Sequence, residues 1–99
     1  MLKNGTRLTS QVCNTQAIVV KTADSLDDLR CGGAPMLALG AETATADIDP
    51  AFAQGNLMGK RYVDDGGAEI LVTKAGAGTL AIGTIALHLK VATPLPASD

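Results

Sequence analysis

Two cysteines and one histidine are the residues of this chain whose side chains could perform nucleophilic, redox or metal chemistry. Cys13 and Cys31 are the only cysteines, and His88 is the only histidine. Structural zinc sites use about four nitrogen or sulfur ligands, commonly cysteines grouped in short pairs. Neither cysteine has a close partner, so a metal site of both thiols, His88 and a carboxylate is the weaker alternative. Two structural thiols are the favoured interpretation, and a Cys13–Cys31 disulfide is a third, which a reducing compartment disfavours.

His88 lies in the segment LHLK at residues 87–90. This alternation of apolar and polar residues predicts a strand whose polar side chains share one solvent-facing side. Nothing in the sequence places His88 near either thiol, so no arrangement of nucleophile, base and orienting group can be assembled. We therefore expect no catalytic residues and no cofactor, and the sequence favours a role other than that of an enzyme without excluding one.

Two other segments resemble functional motifs only superficially. Asp64 and Asp65 precede two glycines, and adjacent carboxylates on an extended chain point to opposite sides. The pair is therefore interpreted as part of a turn. Residues 55–60 resemble a phosphate-binding loop, but the glycines are one residue too close and Arg61 stands where serine or threonine should bind magnesium. We reject that motif.

Composition excludes several classes of partner. The chain has 99 residues, 46% of them hydrophobic, a formal net charge of −2 and only two aromatic residues, Phe52 and Tyr62. Such a chain predicts one small domain with an aliphatic core, and it has neither the basic surface nor the aromatic residues that nucleic-acid binding uses. Its apolar stretches fall short of the ~20 residues that cross a bilayer, and its start lacks the apolar run of a secretion signal. We expect a cytoplasmic protein that binds neither nucleic acid nor membrane.

The elements that would position the thiols are short strands. Residues 17–22 and 69–74 are runs rich in β-branched and other apolar residues that predict buried strands. Gly76 and Gly78 separate the second of these from the apolar segment 79–82, which predicts a β-hairpin. Between the halves, residues 49–55 combine an aspartate, a proline and a final glycine in the order of a short helical turn.

The two halves of the chain are similar in sequence. Residues 5–8 match 59–62, residues 17–20 match 69–72, and residues 29–36 match 80–87. The offset falls from 54 to 52 to 51, which requires gaps of only one or two residues in turns. Three matches in the same order predict an internal duplication. The predicted organisation is one compact domain in which module one is about 5–37, the connector 38–58, module two about 59–93 and a polar tail 94–99.

The segment from residue 8 to 36 resembles the desulforedoxin module, a rubredoxin-like unit also found at the N-terminus of desulfoferrodoxin. The family binds iron through a Cys-x-x-Cys pair and a later adjacent cysteine pair followed by glycine and methionine. By this resemblance Cys13 is the second cysteine of the first pair, and Cys31 opens the closing segment that ends at Met36. In the second half, Tyr62, the strand at 70–72 and residues 76–80 follow in the same order.

The chain differs from that family at most of the positions that bind the metal. In the first half, Ser10 and Gly32 occupy the other two ligand positions. The second half has no cysteine at any ligand position; these positions are Asp64, Gly67, Ile82 and Gly83. Because these groups cannot replace soft thiolate ligands, we expect no bound metal. Cys13 and Cys31 are then remnants of ligand positions, and His88 is a weak further candidate.

These observations predict an all-β fold of two small tandem modules of the desulforedoxin type, related by a pseudo-two-fold axis, with a helical turn in the connector. The leading hypothesis for function is a non-catalytic accessory or structural protein that acts through contact with other proteins. The alternative is a redox protein that depends on the thiols Cys13 and Cys31 or on a metal. Because the charges lie mainly in turns and the strands at 17–20 and 69–72 carry little protection for an exposed edge, we expect a homodimer or a subunit of a complex.

Overall fold

The computed structural model describes residues 2–41 and 47–90, and it confirms the predicted all-β class. These residues form ten short strands and two 3₁₀ helices, and the predicted tail at 94–99 lies outside them. No helix within the described ranges is long and apolar enough to cross a membrane. The strands are β1 (Arg7–Thr9), β2 (Gln16–Lys21), β3 (Leu29–Cys31), β4 (Ala34–Pro35), β5 (Leu37–Ala38), β6 (Arg61–Val63), β7 (Glu69–Lys74), β8 (Leu80–Ile82), β9 (Ile85–Ala86) and β10 (His88–Leu89).

The larger sheet has six antiparallel strands in the order β10-β6-β7-β2-β1-β5. Its centre is the ladder between β2 and β7, in which Ala17 pairs with Val72 and Val19 pairs with Ile70. All four side chains are buried, which explains why both runs are rich in β-branched residues. The strands predicted at 17–22 and 69–74 are therefore confirmed. The prediction that they form exposed edges is wrong, because each is the other's partner.

The smaller sheet has four antiparallel strands in the order β4-β3-β8-β9. Its central ladder joins β3 to β8, with Leu29 opposite Ile82 and Cys31 opposite Leu80. The predicted hairpin around Gly76 and Gly78 is wrong, since β7 and β8 belong to different sheets. The physical reason is that β7 pairs with β2 and β6, whereas β8 pairs with β3 and β9.

The ladders of the second half follow those of the first. Leu8 pairs with Ala17 in β1 and β2, and Tyr62 pairs with Ile70 in β6 and β7. If Leu8 and Tyr62 are equivalent, their ladder partners Ala17 and Ile70 are equivalent as well. The sequence matches instead align Ala17 with Glu69, so the two alignments differ by one residue. Each sheet takes strands from both halves, so the two halves share one core.

That core is aliphatic, as the composition predicts. Tyr62 is its only aromatic member among the described residues, and it is 9% exposed. Most of the other buried apolar side chains of this core come from the two sheets, and one comes from the first 3₁₀ helix (Asp24–Asp28). The largest fully buried hydrophobic side chains are Leu8, Leu26, Ile70, Leu80, Val19 and Val72.

The helical turn predicted in the connector is confirmed as the second 3₁₀ helix (Pro50–Phe52). Asp49 caps it by accepting a hydrogen bond from the amide of Ala51 at 2.9 Å. The first 3₁₀ helix was not predicted from the sequence. It joins β2 to β3 and buries Leu26 between the sheets.

Candidate functional site

The two cysteines lie side by side where the two sheets meet. Cys13 lies in the loop between β1 and β2, and Cys31 is the last residue of β3. Their sulfur atoms are 3.7 Å apart, and both cysteines are free thiols. Cys31 is completely buried, whereas Cys13 is partly exposed. The fold thus brings together the two chemically reactive residues that the sequence could not place relative to each other.

The loop that carries Cys13 is organised by Ser10. The Ser10 hydroxyl oxygen accepts hydrogen bonds from the amides of Val12 at 3.1 Å and of Cys13 at 3.2 Å. It also lies 3.3 Å from the sulfur of Cys13. Serine side chains commonly stabilise turns in this way. The turn fixes Cys13 with its sulfur directed at Cys31.

Thr15 supplies a second hydroxyl to the thiols. Its side chain is fully buried, and its Oγ1 atom lies 3.2 Å from the sulfur of Cys13. The same oxygen accepts a hydrogen bond from the side-chain amide of Asn56 at 2.7 Å. Two hydroxyl groups, those of Ser10 and Thr15, therefore contact the more exposed sulfur.

Two glycines from the second half cover the thiols. A Cβ atom on Gly78 would lie 2.8 Å from the sulfur of Cys31, and one on Gly76 would lie 2.9 Å from the sulfur of Cys13. Neither glycine has a positive φ, so the requirement here is for space and not for an unusual backbone conformation. The close approach of this backbone to the sulfurs accounts for the glycine pair that the sequence analysis attributed to a hairpin.

These surroundings make Cys13 acidic. Burial acts to raise the pKa of its thiol, but hydrogen bonds from the hydroxyls of Ser10 and Thr15 and from the backbone of Thr15 and Gly78 outweigh burial and lower it to about 7. A thiol with such a pKa is ionised to a large extent at neutral pH, and the thiolate is the nucleophilic form of cysteine.

Cys31 has the opposite character. Burial raises the pKa of its thiol to about 11. A hydrogen bond from Thr15 acts to lower this pKa, and the neighbouring charge of Cys13 acts to raise it. Cys31 is therefore protonated when Cys13 is ionised. The two thiols form an asymmetric pair, with one exposed and acidic member and one buried and weakly acidic member.

The site does not fit the four-thiolate metal centre of the desulforedoxin family. Only two sulfurs are present, and within residues 2–41 and 47–90 no three His, Cys, Asp or Glu residues are grouped as metal ligands. At the next ligand position, Gly32 has a φ of +66°, and a Cβ there would lie 2.4 Å from Val12. A cysteine at position 32 would therefore be strained in this backbone, and the chemistry of the site is that of thiols.

The structure does not bring His88 to the thiols. His88 lies in β10 with its side chain exposed, and its Nε2 atom is 3.2 Å from a carboxylate oxygen of Asp65. Asp65 is itself 96% exposed, so this pair contributes little to stability. The adjacent Asp64 accepts a hydrogen bond from the amide of Ala68 at 2.8 Å, as a turn residue does.

Sequence reasoning missed Thr15 and Asn56. Asn56 lies within the segment 55–60 that was considered only as a phosphate loop, and 41 positions separate it from Thr15. Buried polar side chains of this kind carry no local periodicity or spacing signal. Their importance becomes visible only when the fold places them beside the sulfurs.

Comparison with known proteins provides no relative for this site. No family model, no curated protein and no solved structure matches the chain. The resemblance to desulforedoxin modules therefore stays a prediction based on its residues. The geometry of the two thiols is the feature that points to a function.

Proposed function

We propose that this chain is a thiol–disulfide redox protein, in which Cys13 is the attacking thiolate and Cys31 is the resolving thiol. The observation that carries the proposal is the 3.7 Å separation of the two sulfurs, one partly exposed and the other buried. To form a disulfide bond of ~2.05 Å, the sulfurs need to approach by about 1.7 Å. The thiol-dependent alternative of the sequence analysis is thus the better supported one.

The reaction follows from the asymmetry of the pair. The thiolate of Cys13 attacks one sulfur of a disulfide in a partner protein, which forms a mixed disulfide and releases one partner thiolate. Cys31 then gives its proton to the thiolate released by the partner, and its sulfur attacks the sulfur of Cys13, which expels the second partner thiolate. The partner's disulfide gains two electrons, and the dithiol of this chain becomes the Cys13–Cys31 disulfide.

The roles of the two cysteines are assigned by access and acidity. Cys13 is partly exposed, and its pKa of about 7 lies near ambient pH, where an attacking thiol is most effective. Cys31 is completely buried, so a disulfide in another protein cannot reach it directly. Its only accessible sulfur partner is Cys13.

Oxidation by glutathione disulfide tests this proposal, with single Cys-to-Ser variants as matched controls. The unaltered chain should lose two hydrogen atoms by mass and form an intramolecular disulfide. Cys31→Ser should accumulate one glutathione on Cys13, whereas Cys13→Ser should stay unmodified. Glutathione attached to Cys31, or a chain that retains both thiols, would show that the proposal is wrong.

A second candidate is the accessory protein that acts through protein contact. It is supported by apolar side chains on the outer strands of both sheets: Ile85 in β9 is 71% exposed, and Leu89 in β10 is 41% exposed. Exposed apolar groups often mark interaction surfaces. Under this candidate the chain forms a homodimer or joins a complex. Light scattering of the pure chain distinguishes the homodimer from a subunit that needs another protein, because a mass of 10.0 kDa excludes the homodimer.

The proposal also covers the evolutionary origin of the chain and its location in the cell. The recurrence of the ladders in both halves supports an internal duplication of a rubredoxin-like module that has lost its metal. The proposed location is the cytoplasm, a reducing compartment in which the dithiol form is maintained. The ratio of reduced to oxidised chain, trapped by rapid alkylation in cell extracts, tests that location.

A further inference from the structure

Asn56 is a buried amide whose side chain serves the surroundings of the thiols. It is 9% exposed and forms three hydrogen bonds with its side chain. It donates to Thr15 at 2.7 Å and to the carbonyl oxygen of Gly78 at 2.9 Å, and it accepts from the amide of Gly76 at 3.2 Å. All three partners also contact a sulfur or lie against one.

The orientation of this amide is determined by its backbone partners. The Gly76 N–H can only donate and the Gly78 carbonyl can only accept, so the oxygen of Asn56 faces Gly76 and its nitrogen faces Gly78. The same nitrogen faces Thr15 and has no acceptor capacity. Thr15 must therefore accept from Asn56, which leaves its hydroxyl hydrogen for another acceptor.

Of the two sulfurs beside Thr15, that of Cys13, 3.2 Å from Thr15 Oγ1, is the stronger acceptor because it is the ionised member of the pair. We propose that Asn56 is the positioning residue of the thiol pair: it directs the hydroxyl hydrogen of Thr15 onto Cys13 and holds the glycine backbone of residues 76–78 against both sulfurs. This inference rests on the thiol–disulfide function proposed above, and it names the group that prepares the attacking thiolate.

The chemistry of the amide makes the effect of substitutions directional. Asn56→Asp keeps the shape and the acceptor for Gly76 but replaces the donor with a carboxylate. The hydroxyl of Thr15 then donates to that carboxylate, and Cys13 loses the hydrogen bond from that hydroxyl. Asn56→Ala removes the donor without offering a competing acceptor. The reactivity of Cys13 should therefore decrease from the unaltered chain to Asn56→Ala and further to Asn56→Asp.

The experiment measures the rate at which iodoacetamide alkylates Cys13 in the reduced full-length chain at pH 7. Asn56→Asp should slow alkylation by about fivefold, because a hydrogen bond to a charged group is lost. Gln54→Glu is the matched control, since it adds the same charge two positions away on an exposed side chain and should leave the rate unchanged. In a Thr15→Val background, Asn56→Ala, which adds no charge, should have little further effect.

A rate for Asn56→Asp equal to that of the unaltered chain would overturn the inference, as would a larger effect of Asn56→Ala. An undiminished effect of Asn56→Ala in the Thr15→Val background would also overturn it, because Asn56 would then not act through Thr15. If Asn56→Asp does not fold, Asn56→Ala and Thr15→Val carry the same test, and each must slow alkylation. Glutathione oxidation of the unaltered chain separates the two proposals, since its failure refutes the redox function whatever the alkylation rates are.

Discussion

The corner that holds the thiols has a counterpart in the other half of the molecule with the same backbone pattern. In the first corner, the amide of Ser10 donates to the carbonyl of Thr15 at 2.9 Å. In the second, the amide of Asp64 donates to the carbonyl of Ala68 at 3.2 Å. Each bond closes the loop between the first two strands of its half. The counterpart loop is one residue shorter and holds no cysteine.

Each corner is covered by a segment of the opposite half. The amide of Gly32 donates to the carbonyl of Thr79 at 3.1 Å, and the amide of Gly83 donates to the carbonyl of Asp28 at 3.0 Å. The cover of the thiol corner is a glycine-containing backbone segment, whereas the cover of the counterpart is the first 3₁₀ helix. The halves are thus coupled at both corners.

The side chains distinguish a reactive corner from an inert one. The match of residues 29–36 with 80–87 makes Ile82 the counterpart of Cys31, so the counterpart corner has an aliphatic side chain where the first has a sulfur. Asp64 caps its turn as Ser10 does but contacts no thiol. The comparison teaches that the backbone supplies a frame, and that a few side chains placed on it determine the chemistry.

The largest effect is expected when the first half is separated from the second. A chain that ends at Gly40 lacks β7, the partner of β2, and lacks the segment that covers the thiols. Such a small set of strands cannot bury enough apolar surface to fold alone. Its amide NMR spectrum should show the narrow dispersion of an unfolded chain, and a dispersed spectrum would contradict the shared core.

The next effect compares one glycine from each corner. Gly78→Ala places a Cβ 2.8 Å from both the sulfur of Cys31 and the backbone of Gly32, and should lower the free energy of unfolding by about 1–3 kcal/mol. Gly66→Ala is the matched control, because the atoms nearest to its Cβ are side-chain oxygens of Asp64 and Ser25 at 3.2 Å. Urea denaturation measures both. Equal losses would show that the thiol corner is no more tightly packed than its counterpart.

A smaller effect compares two serines. Ser10→Ala removes the acceptor for two backbone amides and should lower the free energy of unfolding by about 1 kcal/mol. Ser25→Ala should be neutral or stabilising, because the Ser25 hydroxyl is buried at the counterpart corner and has no hydrogen-bond partner. The difference between their urea midpoints is the measurement, and a larger loss for Ser25→Ala would contradict it.

The smallest effect is on the pH dependence of stability. The pKa of Cys13 is lowered to about 7 in the folded chain, so its contribution is present above the pKa of an unfolded cysteine and is lost as pH falls through 7. Stability should therefore rise between about pH 7 and 8.5. Burial raises the pKa of Cys31 to about 11, so its contribution has the opposite sign at higher pH. Cys13→Ser should flatten the rise, and an unchanged profile would contradict the assignment.

The two central strands of the larger sheet could be predicted from the sequence, but their pairing with each other could not. Residues 69–74 are a run whose local composition is sufficient to identify β7 with its bounds. Pairing depends on contacts between distant segments, which local patterns do not encode. The glycines at 76 and 78 predict a hairpin by a short-range rule, and that rule failed because both flanking strands had partners elsewhere.

The reactive residues of the site could be predicted from the sequence, but their arrangement in space could not. Residue type alone singles out Cys13 and Cys31 as the groups able to do chemistry. Their proximity is a consequence of how the two sheets meet, and no spacing rule connects a loop cysteine with one at the end of a strand. Thr15 and Asn56 were invisible for the same reason, because a hydrogen bond across 41 positions leaves no local trace.

The ladder between β2 and β7 also has a consequence for synthesis on the ribosome. Ala17 pairs with Val72, so the central contact of the larger sheet closes a loop of more than fifty residues. Closing a long loop before any contact compensates for the lost entropy makes folding slow. During translation, residues of β2 leave the ribosome well before those of β7, so β2 has no partner on that side until β7 has also emerged. During that interval its apolar face and its main-chain hydrogen-bonding groups are open to association with other nascent chains.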